Sequence, residues 1–198
     1  MSPRKYTVKG WIDDHWRPVT RGLARMGLSP NLVTGMGVVV SLMVPYELLQ
    51  DRSVAAGLWL FACGFFDVLD GSIARNEKLR TSFGAFWDST LDRFSEAVVF
   101  GGFVLYYSRH SDETGVLLSF SVFTLSLLVS YTRARAEGLG IECEVGVLPR
   151  TGRILMLIAG LLFHQLIPVL WLIGFFSLIT VGQRVHRVWV SLKTRKKR

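Results

Sequence analysis

Six apolar stretches, at residues 32–49, 54–69, 86–107, 116–131, 154–166 and 167–185, dominate this 198-residue chain. Stretches of this kind suit lipid better than water. Half of the residues are hydrophobic, only 19% are charged and the mean hydropathy is +0.36, a balance outside the range of an ordinary soluble domain. Several stretches fall short of the ~20 apolar residues that a perpendicular crossing requires. They lengthen once their polar ends face the protein interior or a cavity. Residues 154–185 are too many for one crossing, and His164, Gln165 and Pro168 supply polar groups and a helix breaker for a turn within them. The expectation is an all-α integral membrane bundle of six transmembrane helices over residues 31–190.

Basic residues orient that bundle. Of the 23 Lys and Arg residues, only Arg52 and Arg109 fall in the loops expected outside, and Arg93 lies within the third stretch. The rest flank the inner ends, so both termini are expected on the cytoplasmic side of the cell membrane. The net charge of +8 reads as topology and attraction to anionic lipid, including the tail at residues 191–198, and no nucleic-acid partner is expected. Residues 11–27 place Trp16, Val19, Leu23 and Met26 at helical steps, with Arg17, Arg21 and Arg25 on another side. This suits an interfacial amphipathic helix; a cytoplasmic helix packed on the bundle is the other reading. No cleavable leader is expected, because the first 30 residues are polar and basic. Cys63 and Cys143 fall at different depths, so no disulfide is expected. No repeat or linker divides the chain, and residues 1–198 read as one domain.

Four aspartates sit at the edges of two apolar stretches, where an ionised carboxylate costs about 2.5–3.5 kcal/mol on insertion scales. Asp67 and Asp70 share one helical face at the inner end of the second stretch, and Asp88 and Asp92 share one at the start of the third. The short basic connection between them implies an antiparallel hairpin with all four carboxylates at one depth. Oxygen-only ligands favour Mg²⁺, Mn²⁺ or Ca²⁺, and two such ions would balance four carboxylates and clamp a pyrophosphate. Gly71 and Ala74 follow Asp67 and Asp70 by one turn each, which lets a bulky group approach the backbone. Arg75 is placed to reach an anionic oxygen, and Gly84 opens the second helix in the same way. The competing explanation is a hairpin neutralised by Arg75, Lys78, Arg80 and Arg93.

The pattern Asp-x2-Asp-Gly-x2-Ala-Arg-x8-Gly-x3-Asp-x3-Asp resembles the signature of the CDP-alcohol phosphotransferases at every fixed position. The resemblance implies a six-helix membrane enzyme, usually a homodimer, that moves a phosphate-linked alcohol from a CDP-alcohol to a second alcohol and releases CMP. It implies metal ligation by Asp67, Asp70 and Asp88, with Asp92 near the metals as well and acting as general base. Mg²⁺ is the expected cofactor, as two ions, with Mn²⁺ a substitute. CDP recognition would fall to Gly71, Ala74, Arg75, Thr81 and Gly84. Asn31 and Thr34 belong to a segment similar to the family's nucleotide-contacting start of the first span.

Arginines at the inner ends of the later stretches bear on the acceptor. Arg150 and Arg153 share a face, and Arg133 and Arg184 begin at the same depth. Converging guanidiniums suit a phosphate dianion, so a phosphorylated polyol acceptor is expected. These stretches resemble the phosphatidylinositol phosphate synthases of actinobacteria and their archaeal ether-lipid counterparts. In that resemblance Arg153 and Arg184 match positions that hold the phosphate of inositol 1-phosphate (1D-myo-inositol 3-phosphate). Arg133 stands where a lysine is usual, and Arg150 is a secondary contact or a partner for Glu137, Glu142 or Glu144. A phosphatidylglycerol phosphate synthase is the second enzyme reading. Its motif tail usually runs Asp-Pro-x-Ala-Asp, unlike Asp88-Ser-Thr-Leu-Asp92. A metal-ion carrier or a purely structural membrane protein would need none of the Gly71, Ala74 and Arg75 spacing.

Overall fold

The computed structural model describes residues 17–23, 26–77, 79 and 81–195. Its elements are all helical: α1 (residues 17–23), α2 (Pro30–Ser41), α3 (Met43–Leu48), α4 (Ser53–Asn76), α5 (Ser82–Arg109), α6 (Glu113–Gly138), α7 (Arg150–Leu162) and α8 (Leu166–Arg195). Local chemistry sets several starts. Ser29 caps α2 by accepting from Leu32 N, with Pro30 in the first turn; Thr81 caps α5 and Asp112 caps α6 in the same manner. Pro45 has no N–H to offer Ser41, and the first apolar stretch accordingly breaks at Leu42 into α2 and α3.

Six helices close a ring by their packing: α2 on α4, α4 on α7, α7 on α8, α8 on α6, α6 on α5 and α5 on α2, with α3 against α4 and α5. Phe100, Phe103, Val122, Leu157, Leu161, Leu170 and Ile173 fill the interior. A Cβ on Gly102 of α5 would stand 2.6 Å from Pro45 Cβ and 2.9 Å from its Cα. Because Pro45 is rigid backbone there, Gly102→Ala is expected to destabilise the protein by about 1–3 kcal/mol through overpacking. Thermal unfolding in detergent measures this, and an unchanged Tm would show that α3 shifts freely.

Among the described residues four helical stretches are long and apolar enough to cross a membrane: Pro30–Leu48 (α2 with α3), Ser53–Asn76, Glu113–Gly138 and Leu166–Thr194. The six crossings expected from the sequence are thus not matched one for one. The helix α5 has the length but carries Asp88, Asp92, Arg93 and Glu96 between residues 88 and 96, and α7 has only 13 residues. The turn between α7 and α8 falls at residues 163–165, with His164 at φ 55°. Pro168 does not make this break. It lies in the first turn of α8, where helical N–H groups have no intrahelical partner.

The helix α1 packs on the bundle. Thr20 is fully buried and accepts a hydrogen bond from Asn76 Nδ2 at 3.2 Å, and Leu23 rests on Val33, Leu69 and Ile73. Val19 and Met26 remain exposed. Residues 11–16, 24 and 25 of the expected interfacial helix, and residues 196–198 of the basic tail, lie outside the described residues. Both cysteines are free.

Candidate active site

The two helices that carry the aspartates do not pack against each other. Among the described residues no Cα of α4 comes within 8 Å of one of α5; α2 touches both instead. The expected hairpin is therefore an open one, and the gap is where the carboxylates meet. Asp67, Asp70 and Asp88 each place an oxygen within 4.8 Å of the others. Thr34 of α2 reaches in to donate to Asp70 Oδ2 at 2.7 Å. Asp88 Oδ1 is buried with no hydrogen-bond partner among the described residues. Three convergent carboxylates with an orphaned oxygen fit a hard divalent cation, which takes oxygen ligands and neutralises their repulsion.

Asp92 stands beside this trio and is not one of it. Arg150, at the first position of α7, donates from Nη1 to both oxygens of Asp67 at 3.0 and 3.1 Å, and from Nη2 to Asp92 Oδ1 at 2.6 Å. This corrects the partner expected for Arg150: its carboxylates are Asp67 and Asp92, and not Glu137, Glu142 or Glu144. Pro149 caps α7, whose first turn carries Arg150 to the two carboxylates, so position along the fold, which sequence separation hides, decides the pairing.

On one side of the trio a cavity of about 300 Å³ is lined by Asn31, Thr34, Gly71, Ala74, Arg75, Thr81 and Gly84, together with Asp70 and Asp88. All seven residues expected to meet a CDP group share this wall. Space beside the two glycines is close-fitting. A Cβ on Gly71 would stand 2.9 Å from Arg75 Nη1, and one on Gly84 3.0 Å from Thr81 Oγ1 and 3.3 Å from Asn31 Oδ1. Arg75 Nη2 donates to Ser72 Oγ at 3.2 Å, which holds the guanidinium at the rim.

Arg150 also lines a larger cavity of about 1050 Å³, together with Arg93, Arg133, Arg153 and Arg184. Their commitments differ. Arg184 donates from Nε to Val145 O at 2.9 Å and from Nη1 to Val129 O, tying the loop before α7 to α6. Half-exposed Arg133 pairs with Glu137 at 2.8 Å and Glu144 at 3.8 Å. Arg153 is 3% exposed, and its Nε and Nη2 find no hydrogen-bond acceptor among the described residues.

The sequence profile of the CDP-alcohol phosphatidyltransferases matches residues 27–188. The chain belongs to that family. An archaetidylinositol phosphate synthase from Methanothermobacter thermautotrophicus is 36% identical over 194 residues, covering 91% of this chain and 95% of the relative. The crystal structure of Mycobacterium tuberculosis phosphatidylinositol phosphate synthase with CDP-DAG bound superposes with a TM-score of 0.81 at 31% identity, over 87% of this chain and 92% of that one. The same synthase in complex with manganese and citrate superposes with a TM-score of 0.80 at 32% identity, over 87% and 88% of the two chains. A member of this family therefore carries here the acidic trio, the adjoining small-residue cavity and the arginine-lined cavity in one cleft.

Two residues of the cleft escape the motif. Arg93 ion-pairs with Glu96 at 3.2 Å, lies 3.9 Å from Asp92, and donates to Ser130. Glu96 also receives a hydrogen bond from Ser126 and faces Arg153 at 3.7 Å. A signal for Glu96 exists in the sequence. Asp88, Asp92 and Glu96 follow at steps of four, so one acidic face continues a full turn past the motif.

Proposed function

We propose that this protein transfers the phosphatidyl group of a CDP-lipid such as CDP-diacylglycerol to inositol 1-phosphate, releasing CMP and forming phosphatidylinositol phosphate. The observation that carries this reading is a three-carboxylate cation site with Asp92 beside it, one cavity lined by Asp70 and Asp88, and a second joined to the acids through Arg150. One cavity has the small-residue wall a nucleotide needs. The other is lined by five arginines, which a phosphorylated acceptor needs and a neutral alcohol does not. The likeness to inositol phosphate synthases supports that acceptor over glycerol 3-phosphate.

Asp67, Asp70 and Asp88 would hold Mg²⁺, as two ions, with Mn²⁺ able to replace it. When bound, the metal neutralises the pyrophosphate and the charge that develops on departing CMP. This chain's own side chains do the rest. Asn31, Thr34, Arg75, Thr81 and the bare backbone at Gly71, Ala74 and Gly84 seat the CDP group. Arg153, Arg184 and Arg133 bind the acceptor phosphate and aim a ring hydroxyl at the lipid-bearing phosphorus, which turns a bimolecular step into an oriented one. The hydroxyl oxygen forms a bond to that phosphorus, the anhydride bond to CMP breaks with its electron pair, and the hydroxyl proton passes to Asp92. Arg150 holds Asp92 in place through the 2.6 Å contact. The protein would work as a homodimer with six crossings and with the cleft and both termini on the cytoplasmic side of the plasma membrane, in accord with its basic inner loops.

Purified protein with CDP-diacylglycerol and Mg²⁺, offered inositol 1-phosphate, glycerol 3-phosphate, serine or free inositol, tests the reading by CMP release. CMP is expected with inositol 1-phosphate alone. Release only with glycerol 3-phosphate would make the protein a phosphatidylglycerol phosphate synthase, and no release with any acceptor would overturn the enzyme assignment.

A further inference from the structure

The transfer described above leaves Glu96 without a task, although the cleft is organised around it. Its side chain is 14% exposed on α5, one turn beyond Asp92. Groups from three helices converge on it. Arg93 of α5 lies 3.2 Å from Oε2, Arg153 of α7 lies 3.7 Å from Oε1, and Ser126 of α6 donates to Oε1. On its far side Arg93 donates to Ser130, also on α6.

The counter-charge is unevenly divided. Arg93 is shared between Glu96 and Asp92, at 3.2 and 3.9 Å, whereas Arg153 leans on Glu96 alone, and both arginines line the large cavity. Arg153 is nearly fully buried, and Glu96 is its one carboxylate within 4 Å among the described residues. A buried cation without a counter-charge is costly and swings toward whatever anion it can reach. Ser126, itself fully buried, fixes Glu96 so that this counter-charge cannot follow. Arg153 nevertheless makes no hydrogen bond from Nε, and its Nη2 stands 3.7 Å from Glu96 Oε1, beyond hydrogen-bonding reach.

We propose that Glu96 is a positioning residue for the acceptor site: anchored by Ser126, it holds Arg153 and Arg93 so that their remaining donors meet the phosphate of the acceptor. It acts through the arginines and touches no substrate. The inference rests on reading the large cavity as the acceptor site.

The test uses the full-length protein, with calorimetric titration of inositol 1-phosphate and glycerol 3-phosphate alongside CMP kinetics. For the phosphorylated acceptor that the wild type takes, E96Q is expected to weaken binding and raise KM about tenfold, the loss of one well-placed charged contact. KM for CDP-diacylglycerol stays unchanged. E96D, which keeps the charge, recovers part of the loss, and Ser126→Ala shifts acceptor KM in the same direction by less. If E96Q does not fold, E96D and Ser126→Ala carry the test through the same split between the two KM values. Equal changes in both KM values, or a lowered Tm with acceptor KM intact, would make Glu96 a structural ion-pair partner and overturn the proposal. A wild type that takes only glycerol 3-phosphate removes inositol 1-phosphate as acceptor, while the role of Glu96 is still read on glycerol 3-phosphate. A wild type that binds neither removes both readings.

Discussion

Asp88→Asn is expected to weaken Mn²⁺ binding by at least ~10–100-fold, the range seen when even outer partners of a metal site are removed. CMP release should fall by about 10³ or more, since metal charge stabilisation is worth several kcal/mol. The substitution conserves volume and removes one charge from a trio whose oxygens lie within 4.8 Å of each other. Among the described residues Asp88 has no ion pair within 4 Å, and its Oδ1 has no hydrogen-bond partner. Losing that charge therefore relieves repulsion in the metal-free protein, whose Tm should hold or rise. A neutralised salt-bridge partner would behave in the opposite way. Mn²⁺ titration followed by electron paramagnetic resonance, with thermal unfolding in parallel, separates the two. A lowered Tm with intact Mn²⁺ binding would remove Asp88 from the metal site.

The residues that sequence spacing exposes best are those whose partners lie on the same helix. Asp67 with Asp70 and Asp88 with Asp92 are legible because helical periodicity alone puts each pair on one face, and the family signature joins the two pairs. The small-residue wall of Gly71, Ala74 and Gly84 follows from the same periodicity. Legibility ends where a side chain crosses to another helix. Arg150 is 83 residues from Asp67 and 58 from Asp92 in the chain, and nothing in its local sequence points there; only the docking of α7 on α4 does. Glu96 has a local signal, but its roles depend on Arg153 and Ser126, from two other helices. The break at Leu42 follows from Pro45, a local cause that a continuous apolar run conceals. Pro168 is the converse, a breaker by type that the first turn of α8 tolerates. The separation of α4 from α5 is the least legible feature. A short connection implies neighbouring helices, yet α2 contacts both and leaves the cleft open between them.

Asp92→Asn is expected to lower kcat by ~10²–10⁴, the usual contribution of a positioned general base, while Mn²⁺ binding and both KM values change little. Asparagine keeps an oxygen that can still accept from Arg150 Nη2, which now lies 2.6 Å from Asp92 Oδ1. The geometry of the cleft therefore survives and only the proton acceptor is lost. Set beside Asp88→Asn, this variant tests the proposed division of the four aspartates, in which the trio binds the cation and the fourth takes the proton. The acceptor hydroxyl becomes strongly acidic only as its oxygen bonds to phosphorus, so the proton acceptor has to stand at that point when bond formation begins. Arg150 supplies that constraint by bracing Asp92 against Asp67. If Asp92→Asn instead depresses Mn²⁺ binding as far as Asp88→Asn does, Asp92 is a fourth metal ligand, and proton removal must be assigned to another group in the cleft.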